Sequence, residues 1–137
     1  MVSLSSALLL SSKEEERYLR TLRRAANHTS YGKYKMVAGV WRGSSFIGWG
    51  ENLYRVRRGG ETLHPDYAFK GIHAELDALT SLETKRATLY IAGISKTGYE
   101  ISSYPCERCK RLIKNSNLKY IIYNLDGTII KTSVEAL

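Results

Sequence analysis

The sequence predicts an α/β domain in which helices cover a mixed sheet, and three observations carry that expectation. Strand-like and helix-like runs alternate through most of the chain, in the order strand, strand, helix, strand, helix, strand. Strands joined through a helix can pair side by side in the same direction, so the middle strands are expected to be parallel. Asp126-Gly127 then separates two apolar runs by two residues, the signal of a tight hairpin, so the last strand is expected to be antiparallel to its neighbour. At 137 residues and 43% hydrophobic content the chain matches the usual size of one domain with a single core. The expected organisation is one domain over 1–137, with an N-terminal segment at 1–12 and a core from about 35 to 131.

The elements follow in order. Ser11 or Ser12 ahead of Glu14 and Glu15 reads as a helix start. A helix from Lys13 to Asn27 would put Tyr18, Leu19, Leu22, Ala25 and Ala26 on one apolar stripe, as a covering helix needs. Lys35 to Trp41 and Ser45 to Trp49 are short strand-like runs around Arg42-Gly43-Ser44, hence a hairpin, and the tryptophans are expected to pack in the core. From Gly50 to about Gly71 the chain is polar and without period, a loop long enough to be expected to carry function. Ile72 to Leu82 has Leu76, Leu79 and Thr80 at helical spacing, and Ala87 to Ile94 is strand-like. Cys106 to Asn117 is expected to be a helix with Cys109, Leu112, Ile113 and Ser116 inward and Arg108, Lys110, Arg111 and Lys114 on its outer arc. Leu118 to Leu125 and Thr128 to Lys131 complete the sheet.

Twenty-one basic side chains against 13 acidic ones give a net charge of +8. Such an excess attracts nucleic acid, a phosphorylated small molecule or an anionic membrane, or simply maintains solubility, and composition does not choose among these. The apolar stretch Ala7 to Leu10 is far short of a membrane span and lacks a basic segment before it, so neither a span nor a secretion leader is expected. Cys106 and Cys109, the two cysteines, are too close in sequence to favour a structural disulfide, and a reducing, cytoplasmic setting is expected.

Two short motifs carry the chemistry: His73-Ala74-Glu75 and Pro105-Cys106-Glu107-Arg108-Cys109, each following a loop and opening a helix. Alone, the cysteine pair also fits a redox dithiol, or half of a closed zinc site completed by His28 or His64. A dithiol leaves the histidine and glutamate unexplained, and a closed site needs a fourth ligand. Together the motifs match the H-x-E and P-C-x-x-C pattern of zinc deaminases. His73, Cys106 and Cys109 supply the three protein ligands of a catalytic zinc that keeps one position for water. Two thiolates neutralise the ion's formal charge, and the helix N-termini favour the anions gathered there. Glu75, two residues past the histidine, points about 200° away from it on a helix and must reach around the helix end.

On these motifs, and on Gly50-Glu51-Asn52 ahead of the long loop, the sequence resembles the cytidine and deoxycytidylate deaminase superfamily over roughly Lys35 to Lys131. The resemblance implies a three-layer α/β/α fold with a mixed five-stranded sheet and one catalytic Zn2+ per subunit. It also implies hydrolytic attack of water on the carbon bearing the exocyclic amine, with Glu75 moving protons to the ring nitrogen and the leaving ammonia. Asn52 matches a family asparagine that contacts the substrate's sugar and base region, and the Ala74 N–H a donor to the pyrimidine carbonyl. Arg55, Arg57, Arg58 and Lys70, in the loop between Asn52 and His73, are candidates for a phosphate contact, with a solvated loop as the alternative.

A histidine as the nitrogen ligand resembles the deoxycytidylate and nucleic-acid branches, which favours a cytosine nucleotide of the deoxycytidylate type as substrate. The terminal hairpin instead resembles the free-nucleoside enzymes and certain bacterial nucleic-acid deaminases, and Ile91 to Tyr104 is longer than the direct passage from strand to P-C-x-x-C in those families. Cytosine or adenine within single-stranded DNA or RNA is the alternative substrate, and a zinc-stabilised nucleic-acid-binding module the non-catalytic one. The family is often oligomeric, so a homo-oligomer is a further expectation.

Overall fold

The computed structural model describes residues 7–27, 34–52 and 73–137. Its elements are α1 (Ser12–Asn27), β1 (Tyr34–Arg42), β2 (Ser45–Glu51), α2 (Ala74–Ser81), β3 (Thr88–Ser95), β4 (Glu100–Ile101), α3 (Glu107–Asn115), β5 (Tyr120–Leu125) and β6 (Thr128–Ser133), followed by a 3-10 turn at Val134–Ala136. The sheet order is β2-β1-β3-β5-β6, with β4 added on β3. β3 and β5 are parallel, whereas β1 runs antiparallel to both β2 and β3, and β6 antiparallel to β5.

Alternation along β3 shows why the fold has three layers. Leu89 and Ile91 face a core shared with Ala74 and Ala78 of α2 and Ile113 of α3. Tyr90 and Ala92 face the opposite way, into a second cluster with Tyr18 of α1, Trp41 and Ile122. A period of two along a strand buried on both faces gives this division. The predicted α/β architecture with an antiparallel last strand is therefore present, as a mixed sheet between α1 and the α2–α3 pair.

Local chemistry sets the ends of the elements. Ser11 and Glu14 form a reciprocal capping box: the Glu14 N–H donates to Ser11 Oγ at 3.1 Å and the Ser11 N–H to Glu14 Oε1 at 3.0 Å. Asp126 and Gly127 both have positive φ, 50° and 94°, and Leu125 pairs with Thr128, as the predicted two-residue hairpin requires. Trp41 is buried and Trp49 partly so; Trp41 meets Trp49 edge-on at 5.5 Å and Tyr90 at 5.1 Å. Arg17 and Arg20 lie over the Trp41 ring and Arg24 over Trp49, which pins α1 to the sheet.

Two details depart from the sequence expectations. On α1 the buried stripe is Tyr18, Thr21 and Ala25, while Leu19 and Ala26 are exposed. Thr21 takes its place by donating its hydroxyl to the Arg17 carbonyl at 2.9 Å, which removes its desolvation cost. On α3, Leu112 is exposed and Lys110 is not on the outer arc: its ammonium lies 5.3 Å from the centre of the Tyr104 ring. The long passage before Pro105 holds a further short strand, because Glu100–Ile101 turns back to pair with Gly93 and Ile94. Among the described residues no helix is long and apolar enough to cross a membrane.

Candidate metal centre

α2 and α3 begin with residues that rarely cap helices. His73 is the N-cap of α2 and Cys106 that of α3, and neither side chain caps its own helix. Relative to Ser, Asp or Asn, such a cap gives up about 1 kcal/mol per helix. Both side chains turn to a common point instead. His73 Nδ1 lies 3.9 Å from Cys106 Sγ and 3.6 Å from Cys109 Sγ, and the three donor atoms all fall within 4.8 Å of one another. Around a tetrahedral zinc with bonds of about 2.0–2.3 Å, neighbouring ligand atoms stand roughly 3.5–3.8 Å apart. The donor set fits such an ion, the two histidine–sulfur distances are close to that spacing, and neither thiol is in a disulfide. Among the described residues no fourth His, Cys, Asp or Glu joins this group.

Glu75 lies in the first turn of α2 and is 4% exposed. Burial pushes its carboxyl above the usual range; its own backbone N–H, the His73 charge and the Cys109 thiol oppose that rise, while Cys106 adds to it. The Glu75 carboxyl is within reach of the Cys109 thiol. A buried carboxyl beside donors of this kind is suited to holding and releasing a proton.

The approach of α2 to the sheet depends on Gly50. A Cβ there would stand 2.5 Å from the Ala74 carbonyl oxygen and 2.5 Å from the Ala78 nitrogen, so helix and strand touch backbone to backbone. Next to it, the Glu51 N–H donates to the Asp77 carboxylate at 3.0 Å, tying β2 to α2. Asn52 extends the β1 ladder with its side chain: its Oδ1 accepts from the Met36 N–H at 2.9 Å and its amide nitrogen donates to the Tyr34 carbonyl at 2.9 Å. Gly50 and Glu51 thus position α2 against β2, and Asn52 ties the end of β2 to β1.

The second helix start is held by a residue that the sequence reading passed over. Ser103, almost fully buried, donates its hydroxyl to the Ile91 carbonyl at 2.6 Å and accepts from the Asn124 N–H at 2.8 Å, bridging β3 and β5 just ahead of Pro105-Cys106. Nothing in Glu100-Ile101-Ser102-Ser103-Tyr104 sets it apart from the serine beside it. Asp77, equally missed, had no signal beyond its place two residues after Glu75.

Of the predicted site residues, His73, Cys106 and Cys109 are brought together, Ala74 and Glu75 are buried in the helix turn that follows His73, and Asn52 follows the end of β2. Arg55, Arg57, Arg58 and Lys70, with His28 and His64, lie outside the described residues.

No protein-family model matches the chain, and no curated protein shows significant similarity to it. Among solved structures, cytidine deaminase from Burkholderia pseudomallei superposes with a TM-score of 0.58 at 15% identity, over 87% of this chain and 91% of that one. A Glu-to-Gln variant of cytidine deaminase from Mycobacterium tuberculosis gives 0.46 at 16% identity, over 84% and 86%. The Burkholderia likeness establishes a shared fold.

Proposed function

We propose that this chain is a zinc-dependent hydrolytic deaminase acting on a cytosine nucleotide, of the deoxycytidylate type, with conversion of cytosine to uracil and release of ammonia. The observation that supports this reading is the convergence of His73 Nδ1, Cys106 Sγ and Cys109 Sγ beside the buried Glu75, at two helix starts. A redox dithiol needs neither the histidine nor the glutamate, and a purely structural zinc site needs a fourth protein ligand.

In this reading His73, Cys106 and Cys109 hold one zinc ion, which when bound lowers the pKa of water toward neutrality and so supplies a nucleophile. Glu75 takes one proton from the attacking water and passes it to the ring nitrogen, then carries the second proton, from the hydroxyl left on the attacked carbon, to the departing amine. Burial raises the carboxyl above its ordinary value, which favours its holding a proton, and it lies in the first turn of α2, two residues after His73. The Ala74 N–H, in the same turn, is the proposed donor to the pyrimidine carbonyl. Asn52 is the proposed contact to the sugar, and Arg55, Arg57, Arg58 and Lys70 the proposed phosphate contacts.

Deamination of cytosine within a single strand is the second reading, favoured by the exposed Arg108 and Arg111 on the helix that begins at the site. Ammonia release from cytidine, deoxycytidine, their monophosphates and a cytosine-containing single strand separates the two. Turnover of deoxycytidylate supports the first; turnover of the strand with no monomer replaces it with the second. No ammonia from any of them contradicts both.

A further inference from the structure

The strongest feature outside the metal centre is a cleft of about 560 Å³ lined by Lys85, Arg86, Lys114 and Lys119, with Glu135 as its one carboxylate. It lies at the far ends of α2 and α3 from the metal centre. The candidate ligands open those two helices, with Ala74 against Gly50, whereas Lys85 and Arg86 follow α2 and precede β3, Lys119 follows α3 and precedes β5, and Glu135 follows β6. Three backbone hydrogen bonds join the segments that carry the cations: Arg86 N–H to the Asn117 carbonyl at 2.7 Å, Lys119 N–H to Ala87 at 2.8 Å, and Val134 N–H to Lys119 at 3.1 Å. The cations therefore project from a fixed frame rather than from a tail.

Arg86 adds an independent observation. Its φ is 57°, in the left-handed region that costs an L-residue roughly 1 kcal/mol and costs glycine almost nothing. A turn that needs only its backbone shape would be better served by glycine. The side chain present is instead a planar guanidinium, the group that best matches phosphate oxygens, at the rim of a cleft with three ammonium groups.

We propose that this cleft is a second anion site, separate from the metal centre, that binds phosphate groups carried by a nucleotide or by a single-stranded polynucleotide. Lys85, Lys114 and Lys119 supply the field and Arg86 the directional hydrogen bonds. Charge accumulated at one place, rather than the net +8 alone, then explains part of the basic excess.

The test is equilibrium binding to the full chain of three probes without cytosine: inorganic pyrophosphate, thymidine monophosphate and a labelled oligothymidylate. Saturable binding of any of them, weakened about 5- to 10-fold by Arg86→Gly and by Lys119→Gln, is the expected result. Binding of pyrophosphate or the mononucleotide assigns the site to small ligands; binding of the oligonucleotide alone assigns it to a polymer, with the salt slope reduced by about 1 in each variant. Arg86→Gly should keep or raise Tm, because the left-handed turn is relieved, so weaker binding cannot be ascribed to unfolding. Arg23→Gln, which removes the same charge from α1, should change affinity less than about 2-fold. No binding by any probe, unchanged affinity in both cleft variants, or an equal loss in Arg23→Gln overturns the proposal.

Discussion

Gly50 and Ala74 meet backbone to backbone: a Cβ added to the glycine would lie 2.5 Å from the alanine carbonyl oxygen. Strand β2 thereby sets the height of the helix turn that bears His73 and Glu75. A methyl group at residue 50 must push that turn outward, and overpacking of this kind costs about 1–3 kcal/mol. Gly50→Ala is expected to lower Tm and to weaken zinc binding as well, since His73 moves relative to the two sulfurs. Zinc titration of the folded variant checks this.

Ser103 gives the corresponding lever on the other helix. Removing its hydroxyl leaves the Asn124 N–H and the Ile91 carbonyl without that partner in the interior, at a cost of about 1–3 kcal/mol. Ser103→Ala should lower Tm and, because Pro105-Cys106 follows directly, weaken zinc binding. Ser103→Thr, which restores the hydroxyl, should recover part of both. Equal zinc affinity in a destabilised Ser103→Ala protein would confine Ser103 to a structural role.

Glu14 predicts a pH dependence of stability. Burial alone would raise its carboxyl, but the Lys131 ammonium at 2.8 Å and the Ser11 N–H and hydroxyl outweigh it, and the net position is below the usual 4.5. A carboxyl depressed in the folded state contributes stability above its unfolded value and loses it as pH falls through the folded one. Glu14→Gln should therefore be less stable than the parent near neutrality, with the difference shrinking below about pH 4.5. Thermal melts of both proteins across the acid range measure it.

The cluster of three donors predicts that the metal contributes to stability. A ligand bound only by the folded chain adds RT ln(1 + [L]/Kd), so a chelator should lower Tm and added zinc restore it. His73→Ala, Cys106→Ser and Cys109→Ser should each abolish that response. A Tm indifferent to zinc and chelator would argue against a metal at this point.

The order of elements was legible because each depends on local signals: the Ser11 and Glu14 box, the Asp126-Gly127 turn and the alternation along β3 act over a few residues. The candidate ligands His73, Cys106 and Cys109 were legible because metal-binding chemistry is limited to few residue types at fixed spacing. What escaped was tertiary. Thr21 is buried because its hydroxyl returns to its own helix, and Lys110 turns inward because Tyr104 offers a ring face. Helical periodicity assigned neither, since it ranks side chains by polarity and not by available partners. Ser103 escaped for the same reason, and Gly50 was legible only as part of Gly50-Glu51-Asn52: its contact with Ala74 is a matter of distance to residues far along the chain. The substrate contacts expected at Arg55, Arg57, Arg58 and Lys70 lie outside the described residues.

The central claim is that His73, Cys106 and Cys109 hold a catalytic zinc and that Glu75 moves the protons. Its most direct test is ammonia release from deoxycytidylate by the zinc-loaded chain and by Glu75→Gln, with zinc content measured in both. The account predicts one zinc per chain in each protein and a loss of about 10²- to 10⁴-fold in rate for the variant. Full activity in a folded, zinc-loaded Glu75→Gln protein would contradict it.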